Sequence, residues 1–163
     1  MRTKKDMRYY LRLEAPRDAL ARMVLRQGTW FLGRARADDY RTSKEWKTLR
    51  RPRAQRCFYN SQRFCVDHTG YKYFEGFMLI GGLPMHHAWV LMQDGRVVDF
   101  TLEAVLRKAK RDKAVVDLTT PLYNGLAVPR WFILRWLIES RCGEPLAESY
   151  YADSERAGRR LST

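Results

Sequence analysis

Between residues 73 and 102, three strand-like runs follow one another with almost no chain between them: residues 73–80, 86–92 and 96–102. Gly81-Gly82-Leu83-Pro84 separates the first pair and Gln93-Asp94-Gly95 the second. Connections this short cannot carry a parallel crossover, so the runs are expected to pair antiparallel, the last two as a hairpin. Around this centre lie helical patterns. Pro16 opens one in which Leu20, Met23 and Val24 share a face and Gly28 is the stop. Residues 54–66 place Ala54, Cys57, Phe58, Ser61, Phe64 and Cys65 on or near one side, and residues 103–111 form a strongly basic helix. Pro129 starts a helix over 130–141 with Phe132, Ile133, Trp136 and Leu137 together, and Gly143 stops it.

The remaining pieces fit the same frame. Residues 7–14 partly alternate and are expected as a short strand, residues 114–118 as another and residues 121–128 as a loop. The charged end, residues 154–163, is expected to fray. With no internal repeat and no linker, the expectation is one α+β domain over residues 1–163: a small antiparallel sheet packed with helices.

Charge limits the setting of this fold. The 31 Lys and Arg against 18 Asp and Glu leave +13, a field that favours nucleic acid, anionic surfaces or acidic proteins as partners. The basic residues concentrate in 34–56, 107–113 and 156–160, with Arg50, Arg51, Arg53 and Arg56 as polyanion-binding candidates. No apolar run of signal-peptide or membrane-spanning length is present. Three cysteines, none in a CxxC, suggest a reducing, cytoplasmic setting in which a thiol stays free.

A thiol attacks carbonyls as a thiolate, which a helix N-terminus, a nearby cation or a paired imidazole stabilises. Cys57 lies near the start of its predicted helix, just after Arg51, Arg53 and Arg56. Cys65 sits at the far end of that helix, and Cys142 at the end of another with no nearby histidine. His86 and His87 begin a strand and therefore point to opposite faces, so they do not readily share a metal ion, and no metal or other cofactor is expected. Across the Asp94-Gly95 turn, Asp99 falls approximately opposite His87, where a carboxylate orients an imidazole. Taken singly, each is an ordinary structural residue; the order Cys, His, Asp on helix start, strand and neighbouring strand is what a thiol triad requires.

The run His87-Ala88-Trp89-Val90, a short turn, then Val98-Asp99-Phe100-Thr101 resembles the His-Ala-Trp…Asp-x-Thr hairpin of the transglutaminase-like superfamily of papain-like thiol enzymes. Cys57 upstream and Phe74-Glu75-Gly76-Phe77 in the intervening strand match that family's order, and the whole pattern, spanning about residues 54–102, is similar to that of uncharacterised phage and bacterial proteins. The resemblance implies a core with the nucleophile at a helix N-terminus and Cys57, His87 and Asp99 as catalytic residues. Gln55, Asn60 and Gln62 are candidate oxyanion donors beside the Cys57 backbone N–H, and Trp89, Glu75 and His86 are substrate-cleft candidates. The expected function is cysteine-dependent acyl transfer on a protein, peptide or small amide or acyl substrate. The competing expectation is a non-catalytic basic module that binds nucleic acid or another partner on the same fold.

Overall fold

The computed structural model describes residues 3–35, 52–80, 82–112, 120–139 and 143–161. At its centre, β2 (Lys72–Ile80) pairs antiparallel with β3 (Leu83–Leu91), from Lys72 opposite Leu91 to Ile80 opposite Leu83. The short β4 (Val97–Val98) joins the far side of β3. On the other flank of β2 lies β5 (Leu122–Val128), also antiparallel, and outside it β1 (Thr29–Leu32), giving the order β1-β5-β2-β3-β4. The backbone N–H of Ala35 donates to the carbonyl of Val97 at 2.6 Å. The chain leaving one edge strand thus meets the other edge, and the sheet curls into a half-barrel.

Six helices are found among the described residues: α1 (Lys4–Glu14), α2 (Ala19–Gln27), α3 (Cys57–Asp67), α4 (Phe100–Arg111), α5 (Arg130–Glu139) and α6 (Ala147–Leu161). None is long and apolar enough to cross a membrane. On the outer face of the sheet, Tyr73, Phe77, Ala88, Val90, Leu126 and Val128 pack with Met7, Leu11, Leu20, Val24, Phe64, Phe132 and Ile133 from the helices. The inner face holds a second core of Phe74, Met78, Trp89, Val97, Leu102 and Tyr123. Both faces of β2 are covered, which is why its sequence reads as a nearly continuous apolar run. Each fully buried large side chain contributes about 1.5–3 kcal/mol.

Gly76 and Gly125 face each other across β2 and β5. A Cβ on Gly125 would overlap the Glu75 carbonyl and the Trp89 ring, and one on Gly76 would overlap the backbone of Asn124. Glycine here lets the two backbones approach and seats the indole against them.

Several expectations are corrected. Residues 7–14 are helical: Met7 and Leu11, four apart, form the buried stripe, and Thr3 with Asp6 makes a capping box. Residues 121–128 are strand β5, whose Asn124 and Gly125 gave it the look of a loop. The third run of the meander is strand only at Val97–Val98; Asp99 then caps α4. Helix α6 takes in residues 154–161 of the charged end. The expected strand at 114–118, the end of the 130–141 helix and Cys142 lie outside the described residues.

Candidate active site

Cys57 is the first residue of α3, and the chain that delivers it is stapled from within the helix. The backbone N–H of Arg53 donates to Asn60 Oδ1 (3.2 Å). Asn60 Nδ2 in turn donates to the Arg53 carbonyl (2.7 Å) and to Thr101 Oγ1 (2.8 Å). Between these anchors Gln55 adopts φ +63°, a left-handed conformation that costs a non-glycine residue on the order of 1 kcal/mol. The cap residue Arg56 supplies no side-chain cap. The first-turn N–H groups beside the thiol therefore keep their capacity to face an anion.

His87 and Asp99 meet inside the sheet's curl. His87 Nε2 lies 2.7 Å from Asp99 Oδ2, with the two residues only 6% and 1% exposed. The register pairs Val98 with Val90, so Asp99 lies diagonally across from His87, approximately opposite it, and its side chain reaches the imidazole. A carboxylate at Nε2 requires that nitrogen to donate, which leaves Nδ1 as the ring's acceptor, and nearby Cys57 contributes to raising the His87 pKa. Asp99 is fixed twice more: Oδ1 accepts the Leu102 N–H (2.9 Å) and Oδ2 accepts the Tyr123 hydroxyl (3.1 Å).

The electrostatics favour an ion pair. Burial disfavours charged His87, but the Asp99 carboxylate, by charge and hydrogen bond, and then Cys57 outweigh it and raise the imidazole pKa to about 10. Burial likewise opposes ionised Asp99, yet His87, the Leu102 N–H and the Tyr123 hydroxyl hold it below its ordinary value. Burial pushes the Cys65 thiol far up, only partly offset by Arg130, which removes it as a nucleophile near neutral pH. Arg130 also donates to the carbonyls of Cys65 (3.1 Å) and Val66 (2.6 Å), placing a cation at the C-terminal end of α3.

The other candidates are placed as follows. The amide of Asn60 is committed to the staple, and that of Gln62 donates to the Tyr73 hydroxyl (3.1 Å) and the Glu144 carbonyl (2.6 Å) and accepts the Gly143 N–H (3.0 Å). Both serve the fold instead of an oxyanion, whereas Gln55 is exposed two residues before the thiol. Trp89 is wholly buried in the inner core and is no part of an open cleft. Glu75 accepts the N–H groups of Leu146 (2.6 Å) and Ala147 (2.8 Å) and the hydroxyl of Tyr73. Burial raises its pKa to about 7. Exposed His86 stands on the opposite face from His87, its ring against Phe58 and Phe77. It borders a cavity of about 600 Å³ walled by Asp18, Arg17, Glu75 and Glu148. Arg53 and Arg56 are exposed; Arg50 and Arg51 lie outside the described residues.

Sequence reasoning missed Tyr123, because Asn124 and Gly125 marked its segment as a loop. It also missed the Asn60–Thr101 tie. The signal for β5 was the period-two run Leu122, Asn124, Leu126, Val128, three of whose members are apolar. Compared with known proteins, the chain matches no family model, no curated protein and no solved structure.

Proposed function

We propose that this protein is a cysteine-dependent acyl-transfer enzyme with Cys57 as nucleophile, His87 as acid and base, and Asp99 as the residue that orients and charges His87. The observation that carries this reading is the three-residue connection itself. A cysteine at an uncapped helix start lies close enough to a buried imidazole to raise its pKa, and that imidazole's Nε2 is held by a buried carboxylate. The Cys57 proton passes to His87, the thiolate sulfur adds to the carbonyl carbon of an amide, ester or thioester, and the bond to the leaving group breaks as His87 returns the proton to it. Water or an amine then takes the acyl group from sulfur, with His87 accepting the attacking group's proton. The resemblance to the transglutaminase-like hairpin supports the same assignment. The net charge of +13, carried in part by exposed Arg107, Lys108, Lys110 and Arg111 on α4, supports recruitment to an anionic partner such as nucleic acid or an acidic protein.

The test is alkylation by iodoacetamide, mapped by cysteine, against pH. Cys57 is expected to react fastest between pH 6 and 7. His87→Ala is expected to lower its rate there at least tenfold, and His86→Ala to leave most of it. An unchanged rate in His87→Ala overturns the enzyme reading and leaves a basic binding module without thiol chemistry.

A further inference from the structure

Tyr123 is the residue of this centre that the nucleophile–base–carboxylate scheme does not use. It comes from β5, two strands away from His87 in the order β5-β2-β3, and its side chain is wholly buried in the inner core. The ring packs against Trp89 with centroids 5.0 Å apart, which fixes the direction of the hydroxyl. That hydroxyl donates to Asp99 Oδ2, the same oxygen that His87 Nε2 takes at 2.7 Å. The other oxygen, Oδ1, accepts the Leu102 N–H. A carboxylate oxygen that serves two donors offers each less electron density than it would offer one.

We propose that Tyr123 is a positioning residue that shares Asp99 Oδ2 with His87, holding the carboxylate in line while limiting its grip on the imidazolium. This rests on the assignment of Cys57, His87 and Asp99 made above. Without the tyrosine hydroxyl, a dry carboxylate would hold the imidazolium more tightly, and His87 would release its proton less readily to a leaving group. With it, the centre keeps the charged pair but remains able to give the proton up. The ionisable groups around the pair are Cys57 from α3, His86 beside it on β3, and Tyr123 itself. Glu103, one turn along α4, is already bound by Arg34 (3.1 Å) and Arg107 (3.5 Å).

The experiment measures the Cys57 alkylation rate from pH 4 to 10.5 in the full chain for wild type, Tyr123→Phe and a protein with 3-fluorotyrosine at position 123. The high-pH limb, where the imidazolium loses its proton, is expected to move up by roughly half a pH unit in Tyr123→Phe. It is expected to move down in the fluorinated protein, whose more acidic hydroxyl is the stronger donor. A purely structural tyrosine would lower the melting temperature of Tyr123→Phe and leave both limbs in place, which overturns the proposal. A shift of the same sign in both proteins also overturns it. The fluorinated protein preserves the ring and hydroxyl, so the sign test survives if the phenylalanine variant fails to fold. His87→Ala run alongside separates the two levels: loss of the paired profile there, with Tyr123 variants unmoved, defeats only the tyrosine's role.

Discussion

Asp99 and Glu75 are two buried carboxylates built to nearly the same plan. Each accepts a tyrosine hydroxyl, Tyr123 in one case and Tyr73 in the other. Each also accepts backbone N–H groups at a helix start, Leu102 of α4 or Leu146 and Ala147 at α6. The difference is a cation. Asp99 faces His87 and is held below its ordinary pKa, whereas among the described residues no cation forms an ion pair with Glu75, and burial raises its pKa to about 7. Hydrogen-bond donors alone do not overcome desolvation at Glu75; the imidazolium at Asp99 does.

The largest expected effect breaks the Asp99 side. Asp99→Ala strands the imidazole and uncaps α4, and a loss of about 3–5 kcal/mol is expected from urea unfolding at pH 7. The pH window follows from the two shifts. The carboxylate's contribution is present above about pH 4 and lost as pH falls through its lowered folded value. The imidazole's is full below about pH 6.5 and lost as pH rises through about 10. A loss under about 1 kcal/mol would mean that no buried ion pair exists here.

Glu75→Gln sharpens the contrast from the other side. Because its folded pKa is raised from 4.5 to about 7, wild-type stability from this group is present in acid and lost as pH rises through 7. Gln imitates the protonated form, so the variant is expected to match wild type at pH 5 and exceed it by about 1–2 kcal/mol at pH 8. Identical pH dependence in the two proteins would place the ionised carboxylate at no disadvantage. The smallest effect is expected from Tyr73→Phe, about 1 kcal/mol at pH 5 and more at pH 8, where the hydroxyl serves the charged form. A smaller loss at pH 8 than at pH 5 would reverse this ordering.

The α+β class and the hairpin carrying His87 were legible because turn chemistry at Asp94-Gly95 and strand alternation are local signals. Helix α3 was legible too, though its start at Cys57 and not Ala54 depends on the Asn60 staple, whose partner Thr101 is 41 residues away. Asp99 was found as a residue and misplaced as an element: a run of β-formers, Val97-Val98-Asp99-Phe100-Thr101, conceals a helix cap. Residues 7–14 misled for the opposite reason, since Tyr9 and Tyr10 favour strands while the buried Met7–Leu11 stripe decides for helix. Tyr123 depends on a strand whose glycine is required by its neighbour's backbone, and that requirement is visible only once β2 lies beside it.

The strand order has a consequence for how the protein is made. β5, late in the chain, is inserted between β1 and β2, two elements that are synthesised long before it. The β2–β3–β4 meander, with short loops, is the part that can close early, bringing His87 and Asp99 near each other. Until residue 128 has emerged, however, the inner edge of β1 and one whole edge of β2 stand open, and β2 is apolar on both faces. The nascent chain thus carries a sticky, unpaired template from the completion of β2 until β5 emerges, the condition under which edge-to-edge association competes with folding. The thiol centre is completed in the same step that removes this hazard, because the strand that seals the edge also brings Tyr123.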